Sequence, residues 1–258
     1  MRYLKLFSCY LRTNLKSLAI YDIDFYFAII GMITQNLLNI IALRFMFNVV
    51  PKIKGFNFTE LLLTYTLATL AFAIFRCFFI NTLNIADYIH NGELDQILAK
   101  PVNPLFQLIN ARVDDDAWGD LLVALVLLIG VDIRLHNPWY IMLMFLFIAI
   151  FTSLIFLGIA LLGNIAALFS NGLADLAETV FDFFEFSKYP LAIYSNVLKI
   201  FLVWVIPLGW VASIPQEAIA VKHEWFWLLI IPAVCLGFFL AIYQIWRLFL
   251  TKYQSTGS

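Results

Sequence analysis

Charge is scarce in this chain of 258 residues. Only 13% of positions are Asp, Glu, Lys or Arg, against 63% hydrophobic, whereas ordinary globular domains carry about 25% charge. A water-exposed fold of this size could not bury so much apolar surface, which leaves an integral membrane protein. The net charge is -1, and no basic patch is large enough to read as a nucleic-acid surface. Cysteine is also sparse. Cys9, Cys77 and Cys235 are odd in number and far apart, which excludes a disulfide framework or a zinc knuckle and leaves small buried hydrophobes.

Catalytic signatures are missing as well. No G-x-x-x-x-G-K-[ST] run is present, so the chain has no P-loop to cradle nucleotide phosphates. HExxH, GxSxG and Cys-x-x-Cys are absent too, and with them the familiar hydrolytic and redox chemistries. His90 and His136 have no metal-ligand companion at useful spacing, and His223 beside Glu224 reads as a surface pair. Enzymatic activity, a metal and a resident cofactor are therefore not expected.

Long apolar runs are abundant. A bilayer-spanning helix needs about 20 mostly apolar residues. Six runs meet or approach that length, at 25–47, 59–83, 117–135, 139–162, 191–213 and 225–248. The third is short and carries Asp120 near its start. The expected fold is an all-α membrane protein, a single transmembrane domain over 1–258. The N-terminal stretch does not read as a signal peptide, since it has no apolar run followed by a small-residue cleavage site. Leu4, Phe7, Leu11, Leu15 and Leu18 instead recur at helical steps between Arg2, Lys5, Arg12 and Lys16, an amphipathic basic helix (1–20) suited to an anionic headgroup plane. With the N-terminus inside, the inner segments hold Arg2, Lys5, Arg12, Lys16, Lys100, Arg112, Lys188, Arg247 and Lys252. The outer loops hold Lys52, Lys54, Arg134 and Lys222. That imbalance places both termini in the cytoplasm of a plasma (inner) membrane protein.

The stretch 91–104, NGELDQILAKPVNP, is oddly polar between two such runs. Asn91-Gly92 is a turn-prone pair. Leu94, Ile97 and Leu98 then share one helical face. Glu93 and Asp95 suit the positive start of a helix, and Lys100 its negative end. Pro101 stops it, and Asn103 caps a second helix with Pro104 at its first position. Such a short, stiff helix projects from the membrane at 84–116. By its physics it is either a tidy loop or an element that passes force to another protein.

Other polar groups interrupt the apolar runs. Gln35, Asn36 and Asn39 lie in the first span and fit inter-helix hydrogen bonds or a pathway lining. Arg76 lies in the second. A charge at the bilayer centre costs about 2.5–3.5 kcal/mol, so snorkelling to the near surface or an ion pair is expected. Asn164, Asn171, Asp175, Glu178, Asp182 and Glu185 fall at helical steps, a polar stripe placed at the cytoplasmic interface before the fifth span. Its acids are expected to lie in water, to attract a cation, or to dock on a basic face of a partner. Pro207 and Pro215 frame a segment, 207–222, expected to dip into the outer leaflet, and Trp204, Trp210, Trp225 and Trp227 read as interfacial anchors. Asn57-Phe58-Thr59 is a formal glycosylation sequon that abuts a span.

Gly92-Glu93-Leu94-Asp95, then Leu98 and Lys100-Pro101-Val102-Asn103-Pro104-Leu105, resemble the GELD…LL-(R/K)-P-x-NPL signature of a branch of the type-2 ABC exporter permeases. That branch was long catalogued as a domain of unknown function. Lys188-Tyr189-Pro190-Leu191 and Pro207-Leu208-Gly209-Trp210 with Ile214-Pro215 are similar to its two proline-containing blocks around the fifth span, and the tail YQSTGS at 253–258 is similar too. Asp114-Asp115-Asp116 departs from the family, where a mixed or basic segment is usual. The resemblance implies a half-transporter: two permease copies, identical or paralogous, with two separate ATPase subunits that bind the ATP. It also implies that Gly92, Glu93, Leu94, Asp95, Ile97, Leu98, Lys100, Pro101 and Pro104 form the coupling helix that meets the ATPase, and that the Pro207–Pro215 region forms an outer gate. Membrane lipid is the remaining partner. The alternatives are a secondary transporter, which would show inverted repeats that are not evident here, and a non-transporting assembly protein.

Overall fold

The computed structural model describes residues 2–18, 22–114, 116–169, 178–221 and 224–253. Helix α1 (Arg2–Leu18) precedes a long α2 (Asp22–Val49). After a short loop, α3 (Phe58–Phe79) runs through a 3-10 turn into α4 (Ile85–His90), α5 (Glu93–Leu98) and α6 (Pro104–Asn110). Then come α7 (Ala117–Arg134), α8 (Trp139–Phe169) and α9 (Thr179–Ser187). A broken region holds α10 (Asn196–Ile200), extended by a π-helical turn to Val205, and α11 (Ser213–Pro215), extended likewise to Val221. The last helix is α12 (Trp227–Lys252). Among the described residues the only β pairing is an isolated bridge between Ile53 and Phe56.

Helix α3 is the centre of the bundle. It packs on α7 and α8, while α12 lies along α8 and α2 rests mainly on α7. Nearly every residue of α3 is buried, because it is apolar on all sides, as a bundle-core helix must be. Asn57 starts it with a capping box: its side chain accepts from Glu60 N at 3.0 Å, and Glu60 Oε2 accepts from Asn57 N at 2.9 Å. The sequon asparagine is thus engaged as a helix cap. At the other end Asn164, fully buried in α8, accepts from Ala86 N at 2.8 Å and donates to Thr82 O at 2.7 Å. Those bonds satisfy backbone groups that the turn after α3 leaves open. Asn164 therefore fastens a corner, on a different helix from Glu178, Asp182 and Glu185.

Among the described residues, four helical segments are long and apolar enough to cross a membrane: Phe25–Val49, Phe58–His90, Trp139–Ala166 and Trp227–Lys252. Helix α7 is 18 residues long and carries Asp120, Asp132 and Arg134, which lower its apolar character. The run 191–213 does not form the single spanning helix expected of it. It doubles back. Leu191 N donates to Ser213 Oγ at 2.9 Å, so the two ends of the run meet. Pro207 supplies no amide, and the chain breaks there into tight turns. Trp210 is buried in this hairpin with Nε1 donating to Val203 O at 3.1 Å, so it packs the turn instead of anchoring at a surface. Trp204 and Trp225 are exposed.

The return path lies elsewhere. Helices α8 and α12 run parallel: Tyr140 and Trp225, at their starts, have ring centres 5.5 Å apart. The chain between them must travel back along the bundle. Residues 178–193 do so antiparallel to α3. Phe181 and Phe184 pack on Phe72, Lys188 lies over Tyr65, and Ile193 reaches Leu61 and Phe47. Residues 181–193 thus lie against the core helix, while Glu178, Asp182 and Glu185 are exposed. Asp175 and Asn171 fall outside the described residues.

Helices α2 and α7 approach closely at Gly119. A Cβ there would stand 3.0 Å from Ile29 O and 3.1 Å from Met32 Cβ, the small-residue contact that lets membrane helices meet backbone to backbone. Gly119→Leu is expected to lower stability by about 1–3 kcal/mol, as overpacking does. A reduced melting temperature in detergent, with Gly237→Leu as the control in open space, checks it.

Candidate functional site

Two arrangements carry the polar chemistry. The first is a network of side chains inside the bundle. Tyr65 donates to Asn36 Oδ1 at 2.8 Å, and Asn36 Nδ2 donates to Asp120 Oδ1 at 2.6 Å. Arg76 Nη1 reaches Asp120 Oδ2 at 2.8 Å, and its Nη2 lies 2.6 Å from Asp114 Oδ2, with Asp116 at 3.9 Å. Asp120 is therefore a two-sided acceptor between α2 and α3. Arg76 is buried and ion-paired, so it does not snorkel. The acidic run before α7, at odds with the family pattern, supplies two of its counter-charges. A buried cation demands such partners, since an unpaired charge in low dielectric is far more costly than a paired one.

This network forms one wall of a polar cavity of about 200 Å³. Gln35, Asn39 and Thr69 line it, and Phe181, Phe184, Glu185 and Lys188 of the α9 segment close the far side. Lys188 pairs with Glu185 and lies 4.3 Å from the centre of the Phe184 ring, a cation–π contact. Thr69 Oγ1 is buried and has no hydrogen-bond partner among the described residues. The structure thus brings Gln35, Asn36, Asn39 and Arg76 together with Glu185. Asp182 and Glu178 are exposed on the same segment. Sequence reading missed Tyr65, Asp120 and Lys188. Asp120 read only as a blemish in a weak span, yet a carboxylate and a guanidinium in neighbouring apolar runs are a signal that each is the other's partner.

The second arrangement is the short-helix segment. Gly92 sits at φ 72°, a left-handed conformation that turns the chain into α5. Leu94 is fully buried and Ile97 packs on the core, while Glu93, Gln96, Leu98 and Lys100 are exposed. Leu94 therefore anchors the helix to its own chain. Asn103 Oδ1 accepts from Phe106 N at 3.2 Å to cap α6, where Pro104 holds the first position. The Asn103 amide also donates to Tyr243 of α12 at 2.9 Å. Gln107 Nε2 donates to Ile97 O at 3.2 Å and Val102 O at 3.0 Å, which straps α5 onto α6. Helix α1 rests here too: Tyr3 packs edge-on to Phe106, and Asn14 donates to Asn110 O at 3.0 Å. Pro101 is exposed at the break after α5. Pro207 and Pro215 are buried in the opposite hairpin.

A helical bundle with long apolar helices, a buried charge network and a strapped short helix defines a multi-pass membrane protein. Residues 32–257 match the family model described as ABC-2 family transporter protein. The chain belongs to that family, as a membrane permease component of an ABC transporter. No curated protein and no solved structure matched it.

Arg76→Gln is expected to strand Asp114 and Asp120 and to lower stability by about 3–5 kcal/mol, the usual cost of breaking a buried pair from one side. Adding Asp120→Asn should recover part of that loss. Thermal unfolding of the single and double variants in one detergent measures both.

Proposed function

We propose that this chain is the permease subunit of an ATP-driven exporter, with ATP bound and hydrolysed by a separate subunit. Two permease copies pair, and two ATPase subunits dock on their cytoplasmic side. Six crossings fit the geometry. They are α2, α3 with α4, α7, α8, the segment through α9 to Ile193, and α12. Both termini are then cytoplasmic, and the hairpin from Asn196 to Val221 dips into the outer leaflet, with Pro207 and Pro215 at the gate. Gln35, Asn36, Asn39, Arg76, Asp182 and Glu185 flank the pathway on this reading. The chain itself then needs no cofactor.

The observation that carries the proposal is the build of α5. It is a two-turn helix between a left-handed glycine and a proline break, rooted by buried Leu94. Gln107 straps it to α6, and Asn103 links α6 to α12. A loop needs none of this. A lever needs all of it, because a push on the exposed Glu93, Gln96, Leu98 and Lys100 reaches α12 and α3 only if the segment moves as one body.

Leu98→Asp is expected to abolish co-purification with the ATPase subunit while membrane insertion stays normal. Leu94→Asp should instead reduce the folded yield, since it buries a charge. Co-purification of the Leu98→Asp variant at the wild-type ratio would remove the coupling role. The topology has its own check. Val197, 80% exposed, replaced by cysteine should react with a membrane-impermeant thiol reagent from outside intact cells. Labelling only after permeabilisation would refute the outer placement of the hairpin.

A further inference from the structure

At the end of the bundle where α3 begins, α2, α3 and α7 part around a cavity of about 560 Å³. That volume is typical of ligand pockets, which span roughly 300–1,000 Å³. Its walls are hydrocarbon, from Ile40 and Ile41 on α2, Leu62 on α3, and Leu127 and Val131 on α7. Two arginines complete the lining, Arg44 near the end of α2 and Arg134 in the last turn of α7. Both are exposed, and neither has an ion-pair partner among the described residues. Asp132 is buried and forms no pair with Arg134. Arg44 lies 5.0 Å from the centre of the Phe58 ring, which holds its guanidinium at the cavity.

An apolar hollow edged by two unpaired guanidiniums is complementary to one kind of molecule, a hydrocarbon chain beneath an anion. Guanidinium binds phosphate through paired N–H donors and sheds water more readily than an ammonium. We propose that this cavity holds an acyl chain of an anionic phospholipid from the surrounding bilayer, with its phosphate held between Arg44 and Arg134. Gly130 supports the hollow independently: a Cβ built there meets nothing within 4 Å, although the residue lines the cavity. On the topology above the bound lipid belongs to the outer leaflet. The site itself depends neither on that topology nor on an ATPase.

The test uses the full chain, reconstituted in phosphatidylcholine vesicles with a minority of phosphatidylglycerol and re-extracted in mild detergent. Native mass spectrometry then reads the lipid retained per folded chain. The wild type is expected to retain phosphatidylglycerol over phosphatidylcholine. Arg44→Gln with Arg134→Gln should reduce that preference about tenfold, or ~1.4 kcal/mol. Gly130→Leu, which fills the hollow and keeps both arginines, should lose the retained lipid of either kind. Because the readout is a ratio among folded molecules, a lower yield of a variant cannot imitate it. Unchanged preference in the double arginine variant overturns the proposal. So does displacement by glycerol phosphate, a headgroup without chains. If the variants alter only the dimer mass and not the lipid, a second copy covers this groove and the lipid assignment falls.

Discussion

A guanidinium placed among hydrocarbon-facing helices must find counter-charges within the protein, and Arg76 finds them on the chain leading into α7. Asp114 and Asp120 grip it from two sides. Asp120 passes the connection on to Asn36 of α2, and Asn36 to Tyr65 back on α3. Three helices are registered by one set of polar contacts. This matters because membrane helices lack the strong apolar drive that sorts helices in water. Shape and polar contacts must fix their mutual register instead. Helix α2, which buries little of its surface, is held by this network and by the close approach at Gly119.

The same logic recurs at the far ends of the helices. Asn164, Asn103 and Gln107 each bond to groups on another segment, and together they turn the stretch after α3 into a rigid block joined to α8 and α12. A segment designed only to connect two helices would leave its amides to water. Here they are spent inward, and the outward surface of α5 is left short, charged and firm. That is the physical content of the proposed coupling role. On this reading the polar cavity beside Arg76 and the short helix are two parts of one device, since α3 carries Arg76 and leads directly into the strapped block.

The α9 segment shows how a length-and-apolarity reading can exchange two neighbouring stretches. The stripe from Asn164 to Glu185 reads as an interfacial element, while the run 191–213, with Lys199 as its one charge, reads as a span. In the fold the charged stretch lies along α3, its Phe181 and Phe184 on Phe72 and its Lys188 beside Glu185. The run 191–213 closes on itself between Leu191 and Ser213. Charges that pair within the chain, or face a polar cavity, no longer carry the full cost that hydropathy assigns them. The helix that begins at Asn196 ends before Pro207, which supplies no amide and is followed by tight turns.

Composition by itself settled that this is a helical membrane protein, because so little charge cannot clothe so much apolar surface. Local chemistry also settled the small helices: Gly92, Pro101, Asn103 and Pro104 act on their immediate neighbours, so their turns and caps were legible in order. Partnerships across the bundle were not. Nothing local joins Arg76 to Asp114, Asn36 to Asp120, or Leu191 to Ser213, since these contacts depend on which helix faces which. The inward turn of Leu94 and the outward turn of Leu98 likewise depend on what packs beneath α5. Sequence fixes each residue's own appetite for water, partner or hydrocarbon, and only tertiary packing decides which of these it meets.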